Sequence, residues 1–117
     1  MVKMNAPLPT RSAGPSAETC GEPSVGLDRS LDAERIAVVA GALAVPLRVH
    51  ILDVLRRSEH DVCQCELIAL FAVSQSLLSH HIKKLVDAGL VRIERRHRWA
   101  YYSLPPGALE EFTTWLS

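Results

Sequence analysis

The stretch VSQSLLSHHIKKLVDAGLVRIERRHRWAYYSL, Val73 to Leu104, reads as a helix, a stop and two strand-like segments in that order. Ser74 is a side-chain N-cap for the helix. Leu78, Ile82 and Leu85 recur at i, i+4 and i+7, the spacing of a buried helical row. Gly89 stands where a C′ residue ends such a helix. Beyond it LVRIER and WAYYSL, two β-prone segments around RHR, predict a small hairpin, and Pro105 and Pro106 close it.

Upstream, CELIALF predicts a short third helix with Leu67, Leu70 and Phe71 inward, and a turn at AVS joins it to the helix from Gln75 to Ala88. Two short helices around a tight turn form a helix-turn-helix. Pro46 sits at a first helical position, and LRVHILDVLRR then sets Leu47, Ile51, Val54 and Leu55 on one face before SEHD breaks the pattern. Ahead of it LDAERIAVVAGAL predicts a first helix, capped by Ser30, with Leu31, Ala37, Val38 and Leu43 available for burial. At the other end GALEEFTTWL predicts a last helix with Leu109, Phe112 and Leu116 on one face. The fold class is mainly α with a small β-hairpin, a winged helix-turn-helix over 29–117. Residues 1–28, with Pro7, Pro9, Pro15, Pro23 and Cys20, read as a flexible arm.

With 117 residues, 48% of them apolar and 22% charged, the chain accommodates one modest domain. The longest apolar run, Ile36 to Leu47, is well short of the ~20 residues that cross a bilayer. The N-terminal segment lacks the apolar core of a secretory signal. The expectation is a cytoplasmic protein with no membrane partner. In that compartment three cysteines read as ligands or redox groups before they read as a disulfide. The formal net charge is zero, yet between Ser79 and Arg98 six basic residues stand against Asp87 and Glu94. That local excess is the footprint of a phosphate-binding surface.

On the helix after Ser74, the residues Gln75, Ser76, Ser79, His80, Lys83 and Asp87 face away from the core row, and Ser76, Ser79, His80 and Lys83 form one stripe at i, i+3, i+4 and i+7. Short hydroxyls and an imidazole approach base edges in a major groove, while Lys83 and Lys84 reach phosphate. Arg95, Arg96 and Arg98 on the hairpin reach the backbone or an adjacent minor groove. Double-stranded DNA is the expected partner, with Gln75, Ser76, Ser79, His80, Lys83, Lys84, Arg95, Arg96 and Arg98 as the binding residues. His81, on the flank toward Leu77, reads as a packed or hydrogen-bonded side chain.

The order of these elements and the wording of LSHHIKKLVDAGLVRIERRHRWAYYSL resemble the ArsR/SmtB family of winged-helix, metal-responsive transcriptional repressors, over about Leu31 to Leu116. VSQSLLSHHIKKLVDAGLV is similar to the family's recognition helix, RWAYYSL to its second wing strand, and DVCQCEL to its metal-binding box at the third helix. The resemblance implies a homodimer with the first and last helices at the interface, and two recognition helices reading a palindromic operator with half-sites one turn apart. AVPLR stands where the family's DPTR precedes the second helix, and RRHR at the wing tip lacks the frequent glycine. Members that bind arsenite wholly within the third helix carry a cysteine at the position of Ile68. The last helix here lacks the histidine and aspartate pattern of the family's interfacial zinc site.

Cys63 and Cys65 open the third helix. On a regular α-helix residues i and i+2 point roughly 200° apart, so joint capture of one ion requires the backbone to bend. At a helix start N–H groups are unpaired, the turn frays and the dipole lowers thiol pKa. Metal capture there distorts the helix that braces the DNA-reading one, a route from ligand to DNA affinity. The resemblance implies that an arm cysteine, Cys20, meets the pair as third donor, within a subunit or across the dimer. A metal site of Cys20, Cys63 and Cys65 is soft and suits As(III) or Sb(III) first, Cd(II) or Pb(II) next, with no permanent cofactor. The polar flanks Asp61, Gln64 and Glu66 argue against a purely packed role. If Cys20 stays apart, a water, a small thiol or His60 completes the set.

The expected function is a DNA-binding repressor released by a soft metal(loid). The alternative is a redox-sensing repressor that uses the same cysteines. A thiol enzyme is disfavoured, because no Cys-x-x-Cys precedes a helix in a βαβ setting and no cysteine pairs with a histidine in a catalytic arrangement. A winged helix serving only protein association would show no salt-dependent DNA binding.

Overall fold

The computed structural model describes residues 21–117. Cys20 and most of the expected arm lie outside the described residues. A compact unit spans Asp32–Ser117. Its elements are α1 (Ala33–Ala42), α2 (Pro46–Arg57), β1 (Val62–Cys63), α3 (Gln64–Phe71), α4 (Gln75–Asp87), β2 (Arg92–Arg96), β3 (Trp99–Ser103) and α5 (Glu110–Leu116).

The ends of α4 follow from its flanking residues. Ser74 Oγ accepts from the Leu77 N–H at 3.1 Å and caps the N-terminus. At the other end the Gly89 N–H donates to Val86 O and the Leu90 N–H to Leu85 O, both at 2.9 Å, with Gly89 at φ +76°. This is a Schellman stop, which requires a left-handed residue at that position. Between the ends, Leu78, Ile82 and Leu85 are buried as one row. They meet Ile51, Leu52 and Leu55 of α2, Leu67 of α3 and Tyr102 of β3 in a single core.

The helix-turn-helix is α3, a turn and α4. Ala72 closes α3 at φ +55°, its N–H donating to Ile68 O at 2.9 Å. The hairpin is present, with Arg96 paired to Trp99 across a two-residue loop. His97 in that loop has φ +60°, so a histidine occupies the conformation for which hairpins favour glycine. The expected hairpin gains a third strand. β1 pairs antiparallel with β3, Val62 opposite Tyr102 and Cys63 opposite Tyr101, giving the order β1-β3-β2. A two-residue strand carries no period to read, and only the exposed edge of β3 recruits it.

Other expectations need correction. The cap of α1 is Asp32, whose carboxylate accepts from the Arg35 N–H at 3.0 Å. The Ser30 N–H and hydroxyl instead donate to Asp28. The buried residues of α1 are Ile36, Val39 and Ala42, while Val38 is exposed. Leu31 and Ala37 are exposed as well, and Leu43 is half-buried against the core. Leu70 on α3 and Leu116 on α5 also face out, and α5 buries no residue, although Phe112 packs on the core. These helices are apolar on more than one side, so periodicity alone does not say which side the core takes. No single described helix is long and apolar enough to cross a membrane.

His81 joins α2 to α4 by accepting from Arg48 Nε at its Nδ1, 3.0 Å away. Burial, then the charges of Arg48 and His80, push its pKa below the ordinary histidine value. The neutral ring is therefore the form the fold selects. Its contribution is present above the unfolded value of about 6.5 and is lost as pH falls through the lower folded value. Wild-type protein should lose stability relative to a His81→Gln variant as pH falls from 7 to 5, read by urea denaturation. Parallel pH profiles would reject that role. Ala72→Gly should raise unfolding free energy by about 1 kcal/mol, the cost of a Cβ in a left-handed conformation. An unchanged urea midpoint would count against that strain.

Candidate functional site

Burying one row of α4 turns the opposite row outward. Gln75, Ser76, Ser79, His80, Lys83 and Lys84 are all exposed. Lys83 Nζ lies 3.1 Å from Asp87 Oδ2, an i,i+4 surface pair of the kind worth about 0.3–0.5 kcal/mol. A phosphate can displace such a pair at little cost. The rings of His80 and His81 meet edge to face, with centroids 5.2 Å apart, while His80 remains exposed.

On the hairpin, Arg95 and Arg98 are exposed and make no ion pair among the described residues. Arg96 differs. Its guanidinium donates to Asp61 and to Glu94, the latter at 2.9 Å, and sits 4.3 Å from the centroid of the Tyr101 ring. The hydrogen bond from Arg96 holds the Glu94 carboxyl below its usual range. Arg96 thus ties the hairpin to the residue that precedes β1, whereas Arg95 and Arg98 have no ion-pair partner among the described residues.

The cysteines are not both helical. Cys63 ends β1 and is the N-cap of α3 with extended backbone, φ −73° and ψ +145°, while Cys65 lies inside the first turn. The roughly 200° divergence expected within a regular helix therefore does not apply. The Cys65 thiol lies 2.8 Å from Cys63 Sγ, and the two sulfurs are neighbours without any bending of the helix. The Cys65 N–H donates to Cys63 Sγ at 3.4 Å, and the Cys63 N–H donates to Glu66 Oε1 at 2.8 Å, completing a reciprocal cap. Cys63 is buried and Cys65 exposed.

The thiol electrostatics also differ from expectation at Cys65. Its pKa is raised, first by the hydrogen bond to Cys63, then by burial and by the charges of Cys63 and Glu66. The hydrogen bond to Cys63 favours the protonated thiol and two adjacent sulfurs resist double ionisation, and the lowering by the backbone hydrogen bond at Cys65 is the smallest of the causes. Both sulfurs lie within reach of one soft ion, since each Zn–S bond alone spans ~2.3 Å. Among the described residues no three histidine, cysteine, aspartate or glutamate side chains gather as a ligand set. The pair fits a thiophilic ion as two donors of a larger set, and Cys20 lies outside the described residues.

Two side chains that join these parts were not singled out from sequence. Gln64, between the cysteines, donates from Nε2 to Ser79 Oγ at 3.3 Å, and Asp61 accepts from Arg96. Both belong to the polar flanks of the cysteines, but their partners lie 15 and 35 residues away, beyond any periodic signal.

A model of the bacterial regulatory protein arsR family matches residues 46–92. A protein named transcriptional repressor SmtB homolog, from Synechocystis, is 37% identical over 95 residues, covering 73% of this chain and 70% of that one. The arsenical resistance operon repressor of Staphylococcus aureus is 33% identical over 78 residues, covering 67% and 73%. Among solved structures, NolR from Sinorhizobium fredii aligns with a TM-score of 0.62 at 29% identity, over 82% of this chain and 94% of that one.

Replacing Cys63 by alanine removes both the sulfur contact and its charge, so Cys65 should titrate at lower pH. Its alkylation by iodoacetamide at pH 7.5 should then be faster than in the wild type. An unchanged pH profile of the rate would mean that the contact does not govern Cys65.

Proposed function

The chain belongs to the arsR family of bacterial regulatory proteins, as its match to the family model and its likeness to the Synechocystis protein establish, and we propose that it is a cytoplasmic, non-enzymatic repressor that leaves operator DNA when its cysteines capture a soft metal(loid). The reading rests on one observation. Two sulfurs 2.8 Å apart sit at the N-terminus of the helix packed against α4, whose opposite face is an exposed polar stripe. A change at the sulfurs is transmitted to the stripe through that packing.

In this reading Gln75, Ser76, Ser79 and His80 meet base edges, and Lys83, Lys84, Arg95 and Arg98 meet phosphate. Arg96 contributes only on leaving Asp61 and Glu94. Cys63 and Cys65 supply two thiolates and Cys20 a third, a sulfur set that favours As(III) or Sb(III), with Cd(II) or Pb(II) next. The names of relatives such as the Staphylococcus aureus repressor favour the arsenical choice. A second copy of the chain covers the exposed apolar side chains Val38, Trp115 and Leu116 of the adjoining helices α1 and α5. Such a dimer offers two copies of α4 to a palindromic operator.

The sulfur proximity also favours a second reading, in which a peroxide oxidises Cys63 and Cys65 to a disulfide, releasing two protons and two electrons that reduce the peroxide to water. The two readings separate in one titration. Reduced, metal-free protein should bind duplex DNA from upstream of its own gene, in fluorescence anisotropy, and arsenite at one equivalent per subunit should release it. Release by hydrogen peroxide and not by arsenite, cadmium or lead would replace the metal reading with the redox one. In the same assay Arg98→Ala should lower the slope of log affinity against log salt by about 1, as the loss of one phosphate contact does. An unchanged slope would remove Arg98 from the interface.

A further inference from the structure

We propose that Gln64 is the positioning residue that relays the state of the thiol pair to the DNA-reading helix, an inference that rests on the proposed function. Gln64 is the first residue of α3 and the only one between Cys63 and Cys65. Its side-chain amide donates to Ser79 Oγ, in the middle of the outward stripe of α4. A serine oxygen that accepts there keeps its own hydrogen for donation to a base edge or phosphate. The Gln64 bond therefore turns Ser79 into an aimed donor.

The first turn of α3 is held by contacts to the sulfur itself. The Cys65 N–H and thiol both meet Cys63 Sγ. Engaging both sulfurs with one ion withdraws Cys63 Sγ from these contacts. The residue carried between them is Gln64. Gln64 and Ser79 line an open groove of about 240 Å³, together with Lys83, Ile93, Arg95 and Tyr102, so the amide has room to leave the serine. A second link starts at the same place. Asp61 holds Arg96, and Cys63 pairs with Tyr101, so the hairpin also feels any movement of β1.

The test is a double-mutant cycle of Gln64→Met, which keeps the volume and removes the donor, with Ser79→Ala. Operator affinity is measured for the reduced full-length chain without metal and with sodium arsenite or cadmium chloride, and metal uptake is measured separately. Gln64→Met should weaken metal-free binding about fivefold, the loss of one ordinary hydrogen bond. It should leave metal uptake and the metal-loaded affinity unchanged, so the factor of release shrinks by the same amount. In the Ser79→Ala background it should have no effect. A merely structural role would weaken both states alike. The relay alone is overturned if release keeps its full factor in Gln64→Met, or if the loss persists without the serine hydroxyl. Wild-type protein that binds no operator, or that neither arsenite nor cadmium releases, overturns the proposed function and the relay together.

Discussion

Burial of Leu78, Ile82 and Leu85 governs the remainder of the structure, because side chains on a helix advance by about 100° and one buried row sets the direction of every other. With Leu78 and Leu85 wholly enclosed and Ile82 2% exposed, α4 has no freedom to rotate about its axis. Ser76, Ser79, His80 and Lys83 must then point outward. Two arginines from other helices brace the same element: Arg48 donates to His81, and Arg35 donates to Ala88 O, the C-terminal cap of the helix. A cation at that end also complements the helix dipole. A surface that is to meet another molecule in register needs this rigidity, since misalignment of a helix would move every contact on it.

Cys63 carries several structural tasks at once. It ends the strand that widens the hairpin into a sheet, it caps α3 through its sulfur, and its N–H is held by Glu66. Serine, threonine or aspartate would cap a helix more strongly than a thiol. The weaker cap has a chemical consequence, because its acceptor atom is a thiol sulfur, a soft donor atom that serine or aspartate would not supply. A group bonded to that sulfur would compete with the Cys65 N–H and thiol for its lone pairs. Reactivity and local stability are coupled here through a single atom.

The zero net charge conceals a sorted surface. Arg96 is held by two carboxylates and an aromatic ring, and acts as a strut between the hairpin and the segment ahead of β1. Arg95 and Arg98 on either side have no such partners among the described residues and retain their charge for an incoming anion. Lys83 is intermediate, in an exposed pair whose small value makes exchange for phosphate easy. Adjacent residues of one type in a short sequence thus have different work because of what lies across from them.

Sequence alone determined the elements whose signals are local. The row of α4, its serine cap and glycine stop, the proline opening α2 and the two strands of the hairpin are all set by residues within one or two turns of each other. The residues of the candidate site were visible for the same reason, since two cysteines one residue apart and a polar helical stripe need no partner to be noticed. What only the tertiary structure decided depends on residues far apart in the chain. The pairing of β1 with β3 removed Cys63 from the helix and brought its sulfur beside that of Cys65, where helical geometry set them apart. The choice of face on α1 and α5, the cap at Asp32, and the bonds Gln64 to Ser79 and Asp61 to Arg96 belong to this second group. Periodicity states that a helix has a face to bury, but only the packing partner selects which face, and a hydrogen bond across 15 or 35 residues leaves no repeat in the sequence by which to find it.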